Sequence, residues 1–195
     1  MPRVRSTHNQ IFEFITPQLI LDAVYAVLGE IDLDPLSSDL AQEYVHANHY
    51  LTPQDDGFNT ESPWEGRVYC FPPTGLWTHD KRTDKFRLAH AYSITCLSGP
   101  VLAFQKMLYY YCHGHIRHGL MYANNLELIR MDQRTLDFPV CIPSFRPRLL
   151  RYDGETVELK DSEAGVFVYF PDVDKPTESI EEFAKIFDRF GRILA

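Results

Sequence analysis

Two β-prone runs in this chain are each cut short by proline, and those cuts fix where strand ends must fall. Val68-Tyr69-Cys70-Phe71 is followed by Pro72-Pro73 and then Thr74-Gly75. A double proline can neither continue a ladder nor enter a helix interior, so the run reads as a buried strand with a rigid loop at its carboxyl end. Ile31-Asp32-Leu33-Asp34 alternates as a strand does and is stopped by Pro35, which leaves Asp34 at the carboxyl end of a second strand. In open α/β sheets, ligands bind just beyond those ends. A stiff loop there suits the presentation of backbone carbonyls and one side chain, although an ordinary strand-ending turn is the plainer use.

Helical patterns alternate with these strands. Thr16 reads as an N-cap with Pro17 at the first helical position, and Ile20, Ala23, Val24, Val27 and Leu28 fall on one face before Gly29. Ser37 or Ser38 can cap a second helix running to about Asn48, and Pro100 opens another through Phe104, Leu108 and Tyr111. Further strands are expected at Ser93 to Leu97, Gly119 to Ala123, Val140 to Ile142 and Gly165 to Phe170. Asp153-Gly154 marks a hairpin turn between Leu149–Tyr152 and Thr156–Leu159. From Pro176 onward, Ser179 and Glu182 form a capping box, and Ile180, Phe183, Phe187 and Phe190 share a face. The pattern predicts an α/β sheet, parallel at first and antiparallel at an edge hairpin. Residues 1–15 read as an arm, 16–175 as the domain and 176–195 as a C-terminal amphipathic helix.

At 195 residues, 45% hydrophobic and 13% aromatic, the chain can bury a substantial single core. No apolar run approaches a membrane span, and Met1 to Ser6 lacks the apolar core of a signal peptide. Cys70, Cys96, Cys112 and Cys141 are widely spaced, as expected of free thiols in a reducing, intracellular compartment. The net charge of -8 opposes general adhesion to nucleic acid, so DNA binding would need a local basic patch. Lys81, Arg82, Lys85 and Arg87 form the densest such patch, and Arg146, Arg148 and Arg151 could extend it. A solvated charged surface explains both equally well. Cys112, His115 and His118 share a face if their stretch is helical, a spacing zinc can use, but a helix end carrying ordinary histidines is the simpler reading. Neither a Gly-x-Gly-x-x-Gly loop nor a Walker-type lysine is present.

The order of motifs is distinctive: Thr16-Pro17, Ile31 to Pro35, Asp55-Asp56-Gly57-Phe58, Trp64-Glu65-Gly66, then Phe71-Pro72-Pro73-Thr74. It resembles the phage-type, Dam-like DNA N6-adenine methyltransferases of phages and mobile elements. The resemblance runs more weakly through Gly119 to Asn125, Phe138 to Pro143 and Arg146 to Tyr152, spanning roughly Phe12 to Pro171. It implies a Rossmann-like methyltransferase sheet and S-adenosylmethionine as cofactor. Thr16-Pro17 would lie near the cofactor's methionine end, Asp34-Pro35 would hold its ammonium, and Asp56-Gly57-Phe58 would meet its adenosine. The resemblance also places the catalytic motif at Phe71 to Thr74. There the family carries Asn or Asp, then Pro-Pro, then an aromatic residue, which together grip and stack the flipped adenine.

This chain departs from that pattern at both chemical positions. Phe71 offers no acceptor and Thr74 no π face, although Trp77 or Tyr69 could supply stacking. The reading is therefore a degenerate, non-catalytic relative, a binding or structural subunit of a larger assembly. Its C-terminal helix could face either its own sheet or a protein partner. The alternative is an active S-adenosylmethionine-dependent adenine methyltransferase.

Overall fold

The computed structural model describes residues 14–59, 61–83, 85–88, 96–151, 156–158 and 164–195. Its centre is a seven-stranded mixed sheet. Four strands are parallel: β2 (Leu33–Asp34), β3 (His49–Tyr50), β4 (Gly66–Cys70) and β8 (Ile116–Ala123). β12 (Val166–Phe170) adds antiparallel to β8, followed by β9 (Val140–Pro143) and β13 (Gly191–Leu194), each antiparallel to its neighbour. The spatial order is β13-β9-β12-β8-β4-β2-β3. The α/β class stands, but half of the pairings are antiparallel, more than the sequence suggested.

Two smaller antiparallel sheets flank this one. β1 (Phe14–Ile15), β10 (Arg148–Arg151) and β11 (Thr156–Glu158) form one of them. The expected edge hairpin is thus paired as predicted, yet it joins β1 rather than the main sheet. Its turn, Asp153-Gly154, lies outside the described residues. The other sheet has β5 (Leu76–Asp80) between β6 (Lys85–Leu88) and β7 (Leu97–Ser98). Of the strand expected at Ser93 to Leu97, residues 93–95 lie outside the described residues. So do residues 1–13 of the expected arm.

Helices cover both faces of the main sheet. On one side α1 (Gln18–Leu28) and α5 (Pro176–Phe187) bury Ile20, Leu21, Val24, Phe183 and Phe187 against Tyr69, Leu120, Tyr122, Phe167 and Tyr169. Val45, at the end of α2 (Asp39–Val45), joins the same cluster. On the other side α3 (Gly99–Cys112), with α4 (Glu127–Met131), packs Val101, Phe104 and Met107 against Val68, Cys70, Met121, Val168 and Phe170. Strand alternation explains the split, since residues two apart point to the same face. No helix among the described residues is long and apolar enough to cross a membrane.

Several helix ends differ from expectation for identifiable reasons. α1 begins at Gln18 with Pro17 as its N-cap, because the Thr16 hydroxyl is engaged with Tyr69 Oη at 2.6 Å. α5 starts at Pro176, so Ser179 lies inside the first turn, where Oγ donates to the Pro176 carbonyl and accepts from the Asp172 N–H. Of the two uses open to this face, its own sheet or a partner, the fold takes the first and spends it on the chain's own core. Phe183 and Phe187 are fully buried and Phe190 nearly so, and β13 completes the sheet edge immediately afterwards. The division at residue 176 is therefore not a packing boundary.

Candidate functional site

Strand order reverses beside Asp34. From β2 the chain goes to β3 on one side, whereas β4 lies on the other side and leads to β8 beyond it. Such a switch point opens a crevice at the carboxyl ends of the strands. A cleft lies at that place, lined among others by Thr16, Asp34, Ser37, Tyr69, Phe71, Pro72, Pro73, Thr74 and Asn124. The fold thus gathers Thr16, Asp34 and the whole Phe71 to Thr74 loop, which are far apart in sequence. Pro17 and Pro35 are their chain neighbours without lining the cleft. The cleft is narrow, with about 30 Å³ of free volume. That holds a water or two, far less than the several hundred Å³ of a small-molecule pocket.

Asp34 ends β2 and is 4% exposed. It accepts a hydrogen bond from Gln42 Nε2 at 3.0 Å, and the same nitrogen donates to Ser37 Oγ at 2.7 Å. Burial pushes its carboxyl up to about 6, against the opposing pull of hydrogen bonds from Ser37, the Leu36 backbone and Gln42. No cation pairs with it among the described residues. A buried carboxylate in this state is complementary to an ammonium group entering the cleft. The residues thus fit the charged end of S-adenosylmethionine, but the cleft must widen to admit the rest.

Phe71 follows β4 and turns its ring onto Tyr122, with centroids 5.2 Å apart. Tyr122 stacks in turn on Phe167 at 4.5 Å. Behind the loop, Gly99 passes so close to Pro73 that a Cβ there would sit 1.9 Å from the Pro73 carbonyl oxygen. Neither proposed substitute for the missing stacking residue is free to act. Trp77 is 9% exposed and packs edge-on against Phe58 at 5.1 Å, while Tyr69 is fully buried with its hydroxyl held by Thr16.

The remaining candidates lie elsewhere. Phe58 is buried in the core on the α3 side, where it lines a separate apolar pocket with Phe86, Leu102, Lys106 and Tyr110. Its loop is a docking element: a Cβ on Gly57 would lie 2.0 Å from the Pro35 carbonyl oxygen. The Gly57 carbonyl accepts from Trp64 Nε1 at 3.0 Å and from Lys106 Nζ at 2.8 Å. Desolvation brings the Lys106 amine down to about 8, partly offset by Asp56. Burial raises the Asp56 carboxyl, with Lys85 and Lys106 acting against the rise. Gly57 thus packs against the Asp34-Pro35 turn, and its neighbours Asp56 and Phe58 do not line the cleft.

The basic stretch forms the β5–β6 hairpin, which leaves the cleft directly after Gly75. Lys81, Arg82, Lys85 and Arg87 are exposed there. Acids offset part of this charge, since Asp80 pairs with Arg87 at 3.1 Å and accepts from the Arg82 backbone N–H. Arg146 is also exposed. The cysteine-histidine stretch is not one helix. α3 ends at Cys112, His113 caps it, and His118 sits in β8 with Nε2 2.6 Å from Tyr169 Oη. Among the described residues no group of three His, Cys, Asp or Glu side chains is placed to hold a metal ion.

Sequence reasoning passed over one residue of the cleft. Asn124 directly follows β8, is 4% exposed, and its Oδ1 has no hydrogen-bond partner. The only sequence signal was an amide residue ending an apolar strand, the same punctuation that marks Asp34. Asp34, Phe71 and Asn124 thus end or directly follow three adjacent parallel strands. No protein-family model, no curated protein and no solved structure matches this chain.

Proposed function

We propose that this chain is a non-catalytic, methyltransferase-like binding protein whose cleft, at the strand-order reversal, takes a ligand with a cationic amino group at Asp34. The observation that carries the reading is Phe71. At the position where Dam-like methyltransferases hold an acceptor, this chain has an apolar ring stacked on Tyr122. Acceptors at that point act by gripping amino hydrogens more tightly as positive charge develops on nitrogen. A phenyl ring cannot do so, and Thr74 offers no stacking face. The doubly wound order of β3, β2, β4 and β8, with helices on both faces, supports a Rossmann-like sheet.

S-adenosylmethionine suits the charged end of this cleft, where Asp34 would bind its ammonium and Thr16 and Ser37 lie alongside. When bound, it would supply an electrophilic methyl group. The chain's own contributions are a carboxylate, a rigid Pro-Pro loop and the apolar Phe71–Tyr122 stack. Lys81, Arg82, Lys85 and Arg87, exposed on the β5–β6 hairpin, offer a cationic surface for a nucleic-acid strand or an acidic partner. Two measurements on the full chain test the reading. S-adenosylmethionine at millimolar concentration should raise the melting temperature in the unmodified protein and not in Asp34→Ala. Radiolabelled methyl transfer to unmethylated DNA should stay at background. Asp34-dependent formation of N6-methyladenine would establish the active-enzyme alternative instead.

A further inference from the structure

We propose that a second cleft, at the opposite end of the strands from Asp34, binds a free α-amino acid with a side-chain amide. The proposal goes beyond the methyltransferase-like reading and does not depend on it. The cleft lies between the last turn of α1 and α5, over the amino-terminal ends of β4 and β8. It holds about 470 Å³, the size of a small-molecule site, which the Asp34 cleft does not reach.

His118 lines this cleft and is 5% exposed. It lies level with Arg67 on the neighbouring parallel strand. Its Nε2 is engaged with Tyr169 Oη at 2.6 Å, while Nδ1 makes no hydrogen bond among the described residues. A buried ring nitrogen without a partner calls for a polar group from a ligand. A side-chain amide carries a donor beside an acceptor and so meets either tautomer of the imidazole.

The charges of the lining select the rest of the ligand. Three cations, Arg67, Arg117 and Lys175, face three acids, Asp32, Asp172 and Glu182. A plain anion or a plain cation gains little from so balanced a site. Half of these groups are already committed. Arg67 grips Asp32 through Nε at 3.0 Å and Nη2 at 3.1 Å, and Arg117 pairs with Asp174. Lys175, Asp172 and Glu182 have no ion-pair partner among the described residues. Ala26, Val27 and Leu28 also line the cleft, in the last turn of α1, where carbonyls carry partial negative charge. Glu182 and that helix end suit an ammonium, and Lys175 suits a carboxylate. A free α-amino acid brings both groups on one carbon and leaves its side chain for His118.

Calorimetric titration of the full chain with L-glutamine tests the proposal and should give saturable binding. Removing the ammonium charge as N-acetylglutamine, or the carboxylate as glutaminamide, should each weaken binding about tenfold. That is the low end for a charge-assisted hydrogen bond, because Lys175 and Glu182 are exposed. Lys175→Met should cost glutamine the same factor and glutaminamide nothing, and Glu182→Gln should cost N-acetylglutamine nothing. L-Methionine, of similar length without the amide, should bind more weakly than glutamine, and His118→Phe should remove that difference. If His118→Phe fails to fold, the glutamine and methionine comparison in the unmodified chain carries the side-chain test. Absence of saturable glutamine binding would overturn the proposal, as would equal affinity for glutamine and methionine or an affinity untouched by Lys175→Met. Glutamine binding should be unchanged in Asp34→Ala. Its loss there would place the amino acid in the other cleft and overturn the assignment, while the melting shift with S-adenosylmethionine is read separately.

Discussion

The Phe71 ring lies on Tyr122 with planes inclined by 23° and centroids 5.2 Å apart, joining the ends of two neighbouring parallel strands by an apolar contact. An acceptor at residue 71 would have to sit against that ring. Phe71→Asn should therefore cost about 1–3 kcal/mol, less than a fully buried phenylalanine because residue 71 is half-buried. Urea unfolding gives this value. Methyl transfer by the unmodified chain should lie at least ~10²–10³ below that of a version carrying both Phe71→Asn and Thr74→Tyr, if that loop regains function.

Asp34 makes stability fall as pH rises. Its carboxyl titrates near 6 in the fold and near 3.8 when unfolded. Between those values the unfolded chain gives up the proton first, so folding weakens through that window and stays weakened above it. Asp34→Asn should stabilise the protein by about 3 kcal/mol at pH 7.5 and leave it unchanged near pH 3.5, at ~1.4 kcal/mol per pH unit. Urea unfolding at the two pH values checks this.

His118 acts in the opposite sense. Desolvation in β8 lowers its imidazole from 6.5 to about 4. As pH falls below 6.5 the unfolded chain takes the proton first, so stability should be lost down to about pH 4, by roughly 2–3 kcal/mol. The two slopes oppose each other between pH 4 and 6. His118→Gln should leave a protein that gains stability on acidification through that range, a reversal visible in the melting temperature.

Removal of α5 should unfold the domain. Tyr169 stacks on Phe183 at 4.5 Å, and Phe183 on Phe187 at 4.7 Å. Phe183→Ala should cost about 3–5 kcal/mol, and a chain ending before Pro176 should show no cooperative melting transition. A truncated chain that still melts cooperatively would return this face to the list of docking surfaces.

Gly57 and Gly99 are fixed by close approach to the two proline turns, as Cβ distances of 2.0 Å and 1.9 Å to the Pro35 and Pro73 carbonyl oxygens show. Either glycine changed to alanine should lower stability by about 1–3 kcal/mol through forced backbone displacement. Gly57→Ala should also weaken any ligand held by Asp34, since Pro35 must move. Comparing ligand affinity with that of a core variant of equal stability separates the two effects.

Proline and periodicity alone determined that Asp34 and Phe71 would stand at carboxyl ends of strands, because a proline removes the ladder donor wherever it falls. They also set the helical faces of α1 and α5, which follow from local spacing. Tertiary structure decided what those faces meet. Whether Phe183 is docking surface or core depends on the sheet that α1 leaves uncovered, and no local signal carries that information. The same holds for the cleft. Asp34, Phe71 and Asn124 become neighbours only through parallel pairing across long crossovers, and Thr16 joins them through Tyr69. The family resemblance implied that Phe58 would be a cofactor contact, through the Asp56-Gly57-Phe58 motif. In the fold its ring turns to Trp77 on the other side of the sheet, since burial of two aromatic rings outweighs proximity along the chain.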